Sequence, residues 1–203
     1  KLSEREEQMN CFLLPMEVIH HGYALSPEEM RKKQERNLDM LYKNLEKNPH
    51  DSYTHFQIGQ SEFILGNYEK SIMFYEKGLE EDLSPEYIYV QVMIMSLAKA
   101  YIKVGKNAEA VALMEKYSER CKTAKYYFTH AGVMLDSDQP LKALMLYVKT
   151  TLAPDADTLG ENLLHCYEHI IDIYTRMNDL KMAQVFEQRY QACKRERERV
   201  LNS

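Results

Sequence analysis

The residues with the clearest potential for metal chemistry are His165, Glu168 and His169, in the order His-x-x-Glu-His. Two histidines four positions apart share one face of a helix, and their imidazole nitrogens could bind Zn²⁺. Peptidases with this inverted motif need a further carboxylate ligand well downstream, and only 34 residues follow His169. Because short motifs often match by chance, we predict no metal site and expect both histidines to line a groove.

No other group of residues has the spacing of a catalytic site. The sequence lacks a Gly-rich phosphate loop, a nucleophile elbow, a kinase signature and a supported Ser-His-Asp or Cys-His-Asn set. The cysteines, Cys11, Cys121, Cys166 and Cys193, form no Cys-x-x-Cys pair. That spacing favours reduced, mostly buried thiols over zinc ligands or disulfides. For this chain alone we predict no catalytic residue, metal or cofactor.

The composition excludes two classes of partner. The 203 residues include 26 basic and 31 acidic side chains, so the net charge is −5. A mildly acidic chain has no long-range attraction for nucleic acid or an anionic membrane. The longest apolar run, from Phe12 to Ile19, contains Pro15 and Glu17 and is too short to span a bilayer. We therefore expect a cytoplasmic protein with no membrane span.

The elements that position these residues follow from a pattern that occurs four times. A small residue lies mid-helix, a turn follows, and a second small residue comes about twelve positions later. We place the central positions at Gly59, Ala98, Gly132 and Ile171, which are 39, 34 and 39 residues apart. A period in this range, with two helices per unit, indicates a helical-hairpin solenoid. The predicted fold is all-α, a right-handed solenoid of about four hairpins with a leading helix.

The predicted boundaries come from local capping and turn signals. Ser26-Pro27-Glu28-Glu29 begins a leading helix that ends near Lys47, before Asn48-Pro49. Leu38, Leu41 and Leu45 form its apolar stripe. The predicted hairpins are 52–65 with 68–82, 86–104 with 107–121, 125–136 with 140–152, and 160–177 with 180–200. Residues 26–48 then form a linking helix and residues 49–203 the repeat domain.

Residues 1–25 differ from the rest of the chain. The run from Cys11 to His21 has the composition of a β-strand and is followed by Gly22-Tyr23. A single strand is not stable alone, because its backbone groups need a neighbour. It could pair with a second copy, with residues 1–10, or with a sheet upstream in a longer protein. We favour the last of these.

The hairpins resemble tetratricopeptide repeats. The matching positions are Gly59, Gly66, Tyr68, Ser71, Tyr75 and Gly78 in the first hairpin, and Ala98, Tyr101, Gly105 and Ala110 in the second. The third departs through a turn that is one residue shorter before Ala143, and the fourth has Ile171 where a small residue is expected. The resemblance covers about residues 50–192.

The segment before the repeats resembles the junction in bacterial family 2 glycosyltransferases that carry a C-terminal tetratricopeptide array. It is carried by Ile19-His20-His21-Gly22-Tyr23, Lys33, Arg36-Asn37, Leu41, Leu45 and Asn48-Pro49. The resemblance implies that residues 1–25 end an upstream GT-A catalytic domain, with His20 or His21 near its metal and diphosphate. The parent enzyme would need a divalent metal and a nucleotide sugar. Asp155-Ala156-Asp157, in an inter-repeat loop, is not the Asp-x-Asp metal motif of such enzymes.

Solenoids of this class usually bind partners on the face formed by the first helix of each hairpin. The residues that the pattern puts there are Tyr53, Phe56, Gln57, Gln60, Phe63, Met95, Ser96, Lys99, Tyr126, Thr129, His130, His165, His169 and Asp172. Such a face suits an extended peptide or a partner's helix. Phe56 and Gln60 replace two residues of the carboxylate-gripping set of chaperone-binding repeats, so chaperone docking is not expected. Several of the aromatic residues could instead pack against the helix 26–47 or against a catalytic domain.

Two functions remain open from the sequence. The first is the C-terminal domain of a glycosyltransferase, which positions a peptide, protein or glycan acceptor and helps the enzyme to dimerise. The second is a free-standing adaptor or regulator that binds a peptide and has no catalytic partner.

Overall fold

The structure is a computed structural model and describes residues 26–80 and 83–201. Within these ranges it contains nine α-helices, one short 3₁₀ helix and no β-strand. The helices are α1 (Pro27–Lys47), α2 (Ser52–Ile64), α3 (Tyr68–Gly78), α4 (Ile88–Lys103), α5 (Asn107–Tyr117), α6 (Ala124–Asp136), α7 (Pro140–Thr151), α8 (Glu161–Arg176) and α9 (Leu180–Leu201). The predicted all-α helical-hairpin solenoid is confirmed. The predicted strand, with His20 and His21, lies outside the described residues.

The leading helix α1 begins with the predicted cap. The Ser26 hydroxyl accepts a hydrogen bond from the Glu29 backbone N–H at 3.3 Å, and the Glu29 carboxylate accepts one from the Ser26 N–H at 2.8 Å. These reciprocal bonds satisfy two N-terminal donors that the helix cannot satisfy itself. Leu38 and Leu41 of α1 pack in one buried cluster with Ile58 of α2. This packing fixes α1 against the first hairpin.

The four turns inside the hairpins share one geometry. In each, a backbone N–H bonds to the carbonyl five residues back, as from Asn67 to Glu62 and from Gln139 to Met134. Such a turn needs one residue with positive φ, a conformation that glycine adopts at no steric cost. The first two turns have glycine there, whereas the last two have Asp138 and Asn178, with φ of 56° and 59°.

The structure corrects the predicted shortening of the third turn. Three residues separate the two helices of every hairpin, including α6 and α7. The mid-helix small residue of the third repeat is Ala131, which is fully buried, rather than Gly132, which is half-buried. Counted from Ala131, Ala143 comes twelve positions later, as in the other repeats. The prediction was wrong because two adjacent small residues fit the pattern equally well.

Side chains between consecutive hairpins form a continuous core. One buried cluster extends from Phe56 to Val133, and a second extends from Ala124 to Phe186. Val111 and Leu146 pack against both clusters and so connect them. Each hairpin therefore buries its apolar faces against its neighbours, which is how stacked repeats become stable.

Two connections between hairpins differ from the prediction. Helix α4 begins at Ile88 instead of residue 86, because residues 84–87 form a turn in which the Ser84 carbonyl accepts from the Tyr87 N–H. The predicted loop 153–158 contains part of a 3₁₀ helix, Ala156–Leu159. Neither α1 nor any later helix in the described ranges is long and apolar enough to cross a membrane.

Candidate functional site

One open cavity is formed by the first helices of all four hairpins. It has a volume of about 340 Å³ and is lined by side chains from α2, α4, α6 and α8, together with Tyr147 of α7. We call it the first-helix groove. Its lining residues are Phe63, Lys99, Ile102, Lys103, Phe128, Thr129, Gly132, Val133, Leu135, Asp136, Tyr147 and His169.

The groove brings together one predicted residue from each hairpin. These are Phe63, Lys99, Thr129 and His169. Phe63 and His169 are half-buried, so each presents part of a ring to a ligand. Four residues that are far apart in sequence thus face one space, because the hairpins stack in the same orientation.

The predicted residues of α2 and α4 divide into surface and core positions. Tyr53 is 49% exposed, and its ring lies edge-on to that of Tyr89, with the centroids 5.3 Å apart. Gln57 and Gln60 of α2, and Ser96 of α4, are half-buried. Phe56 and Met95, by contrast, belong to the buried core.

The face predicted for α6 requires a correction. Tyr126 is fully buried, and its hydroxyl donates to the Met114 carbonyl, so it packs in the core between repeats. The face was assigned by counting from Gly132. Counting from Ala131 moves each position back by one and predicts Phe128 and Thr129, which both line the groove.

The third predicted α6 residue, His130, lines a different cavity. This cavity lies between α5, α6 and α7, has a volume of about 310 Å³, and also includes Glu115, Lys142 and Lys149. Both ring nitrogens of His130 are buried and have no hydrogen-bond partner among the described residues. Burial lowers the pKa of His130 to about 4, and the two lysines add to this effect while Glu115 opposes it. The imidazole is therefore neutral at pH 7.

The histidines of the His-x-x-Glu-His motif have separate partners. His165 Nδ1 lies 2.8 Å from a carboxylate oxygen of Glu168. The His169 ring stacks on Tyr147, with centroids 4.7 Å apart and an interplanar angle of 14°. Asp172 forms an ion pair with Arg176 at 2.9 Å. No group of three His, Cys, Asp or Glu side chains in the described part of the chain is arranged to hold a metal ion.

The walls of the groove are apolar, and one side carries positive charge. The Phe128 and Tyr147 rings meet edge-on with their centroids 6.0 Å apart. Lys99 and Lys103 project from α4, one helical turn apart, and both line the cavity. Burial, together with repulsion from Lys125 of α6, lowers the pKa of Lys99. Asp136 of α6 also lines the cavity, so the groove combines apolar walls with charged groups of both signs.

Sequence reasoning missed several groove residues. Ile102 and Lys103 lie one turn beyond Lys99, and they would follow from extending the face of α4 by one turn. Tyr147 is on a second helix, and its ring reaches the groove beside the half-buried Gly132, which has no side chain. The corrected α6 register is the signal that would have identified Phe128.

Comparison with known proteins agrees with this architecture. Residues 52–85, which include the first hairpin, match the family model of the tetratricopeptide repeat. No curated protein sequence matches the chain.

Several solved structures share the fold. The crystal structure of MamA is 15% identical with a TM-score of 0.70, over 85% of this chain and 96% of that chain. MamA from Desulfovibrio magneticus RS-1 is 16% identical with a TM-score of 0.64, over 84% and 94%. A Podospora anserina protein with nearly identical TPR-like repeats, named after kinesin light chain, is 16% identical with a TM-score of 0.62, over 90% and 100%. The chain is thus a tetratricopeptide-like helical solenoid.

Proposed function

We propose that this chain is an interaction module that binds a segment of another polypeptide in the first-helix groove. The observation that carries the proposal is the cavity of about 340 Å³ to which all four hairpins contribute. Ligand sites are concave, mostly apolar and equipped with a few polar groups, and this cavity has each of these properties.

The exposure of its apolar residues supports this function. Phe63, Ile102 and Phe128 are half-buried although each faces the groove, so the fold leaves part of each side chain uncovered. Covering such surface with a partner side chain contributes about 25 cal/mol per Å² before the costs of association. A bound peptide would supply that cover without a change in fold.

Of the two functions considered, the adaptor or regulator needs only a surface that can bind a peptide, which the first-helix groove offers. The role in a glycosyltransferase depends on His20 and His21, on an upstream GT-A domain, and on the metal and nucleotide sugar of that domain. It stays a prediction, as do a glycan acceptor and dimerisation.

The cysteines are in keeping with a reducing, cytoplasmic setting, which we include in the proposal. Cys121 and Cys166 are buried free thiols, and burial raises the pKa of Cys166 to about 12. A thiol that stays protonated and inaccessible is inert, which fits a packing role.

The test is a selection of binding peptides from a random dodecapeptide library on the purified chain, followed by affinity measurement. Gly132→Leu should fill the groove, because a Cβ there meets only the Tyr147 hydroxyl, at 4.0 Å. We expect it to weaken the selected peptides at least tenfold. Ala192→Leu, on the exposed surface of α9, is the control and should leave affinity unchanged. Equal binding by both variants, with unchanged circular dichroism, would show that the peptides bind elsewhere.

A further inference from the structure

We propose that α5 and α7 form a second binding site, which takes an amphipathic helix of another protein and pairs one uncharged hydrogen-bonding side chain of that helix with His130. We call it the second-helix site, and it comprises the cavity that contains His130 together with the outward face of α7. Among the described residues, none lines both this cavity and the first-helix groove. The inference therefore goes beyond the proposed function.

The first step is an unpartnered polar side chain in the cavity between α5, α6 and α7. His130 is 5% exposed, and neither of its ring nitrogens has a hydrogen-bond partner in the described part of the chain. The neutral ring has one N–H donor and one acceptor nitrogen. Buried polar groups in folded proteins are almost always paired. A group that enters the cavity of about 310 Å³ can supply the missing hydrogen bond.

The second step is the charge around this cavity. Glu115 and Glu119 line it from α5, and Lys142 and Lys149 line it from α7. Glu115 and Lys142 pair at 3.0 Å, and the Lys149 ammonium lies 4.3 Å from the centre of the Tyr127 ring. Because the two acids balance the two bases, the cavity favours neither an anion nor a cation. The complementary group is an uncharged one that can donate or accept, such as the amide of Asn or Gln or the hydroxyl of Ser or Thr.

The third step is an apolar stripe on the outward face of α7. Its members follow one another at intervals of four, three and four residues, which places them on one side of the helix. They are Leu141, Met145, Val148 and Leu152. Val148 is half-buried, whereas the other three are 59%, 74% and 70% exposed. This spacing is that of the seam between two packed helices, so a helix is the partner element that covers it.

Met145 connects the stripe to the cavity, because it belongs to both. Leu141 and Leu152 lie about 6 and 10.5 Å from it along the helix axis. The partner's uncharged polar residue therefore lies in the middle of its apolar face, with apolar residues on both sides. A second copy packed through the same stripe would present only apolar side chains and leave His130 unpaired. We therefore assign the site to a helix of another protein.

The experiment selects binders from a displayed library of helical peptides of about three heptads, varied at the seam positions, on the purified chain. The selected peptides should carry Asn, Gln, Ser or Thr in the middle of an apolar seam. Met145→Glu should weaken them at least tenfold. The matched control, Met40→Glu, makes the same change at an exposed methionine of α1 and should leave affinity unchanged. Gly132→Leu should also leave it unchanged, which separates this site from the first-helix groove.

The role of His130 is tested by a double-mutant cycle. Replacing the central polar residue of a selected peptide by an apolar one of similar size should weaken binding to the wild type about fivefold, the value of one hydrogen bond. The same replacement should not weaken binding to His130→Leu, because that variant has no imidazole to pair. Circular dichroism of the variants verifies that each is folded.

Three results overturn the inference. The first is a set of selected peptides that responds equally to Met145→Glu and Met40→Glu. The second is an equal loss for wild type and His130→Leu when the central polar residue of the peptide is removed. The third is a dimer of the chain alone, measured by sedimentation velocity, that Met145→Glu dissociates, since a second copy would then be the occupant. None of these results bears on the first-helix groove, which Gly132→Leu tests separately.

Discussion

The ring of Tyr75 lies directly against the backbone of Gly59, so that a Cβ at position 59 would be 2.6 Å from ring atoms Cδ1 and Cε1. In the same contact, the Ser71 hydroxyl donates to the Gly59 carbonyl at 2.8 Å. These contacts join α2 to α3 and set how closely the two helices approach. A small residue at this position is therefore a steric requirement of the first hairpin.

We expect Gly59→Ala to lower the free energy of unfolding by about 1–3 kcal/mol, because the added methyl group overpacks a buried contact. The control is Gly132→Ala, where the nearest atom to a new Cβ is the Tyr147 hydroxyl at 4.0 Å. At that helical site alanine should stabilise the protein by about 0.5–1 kcal/mol. Urea denaturation of both variants measures the difference. Equal effects would contradict the close contact at Gly59.

The carboxylate of Asp155 connects two repeats. Its oxygens accept from the backbone N–H of Ala124, at the start of α6, at 3.0 and 3.1 Å. We expect Asp155→Ala to destabilise the protein by about 1–2 kcal/mol, as for loss of a helix cap. Asp157→Ala, two residues along and exposed, should change stability by less than about 0.5 kcal/mol. Thermal unfolding compares the two, and a larger loss for Asp157→Ala would refute this role.

His130 should make the protein less stable in mild acid. Its pKa is about 4 in the folded state against an ordinary value of 6.5, so the unfolded chain takes up a proton first as the pH falls. The free energy of unfolding should therefore fall from pH 6.5 downward, with a contribution of at most about 3 kcal/mol near pH 4. Burial is the main cause. Lys142 and Lys149 add to it and Glu115 opposes it.

Urea denaturation between pH 4 and 7 tests the role of His130. In His130→Leu this part of the pH dependence should disappear, while His50→Gln, at an exposed histidine, should retain it. An unchanged pH profile in His130→Leu would show that the imidazole does not stay neutral in the fold.

The docking of α1 should depend on one side of that helix. Leu41 is 6% exposed and packs with Phe74, whereas the adjacent Met40 is 59% exposed. We expect Leu41→Ala to cost about 2–4 kcal/mol and Met40→Ala less than about 0.5 kcal/mol. Limited proteolysis should then cleave α1 faster in Leu41→Ala alone. Equal cleavage of both variants would argue against the observed packing.

The extent and order of the helices could be derived from the sequence, because their signals are local. Ser26, Pro27 and Glu29 form a cap from neighbouring residues alone, and Gly66 and Gly105 take the positive φ that their turns require. The same reasoning located the remaining turns, although Asp138 and Asn178 replace glycine there. Repetition at a fixed interval was sufficient to identify the solenoid.

The composition of the groove was decided by contacts between distant residues. Ala131 and Gly132 are both small, and only the packing of α7 against α6 shows which of the two faces α7. The orientation of α6 that results places Phe128 in the groove and Tyr126 in the core. The approach of Lys99 to Lys125 likewise arises from stacking of two hairpins. The sequence by itself determined the elements, because capping and turn formation act over a few residues. The tertiary structure alone decided which side chains face the groove. A shift of one residue in the register of a helix leaves its capping and turn signals unchanged, but it places a different set of side chains on the face toward the groove.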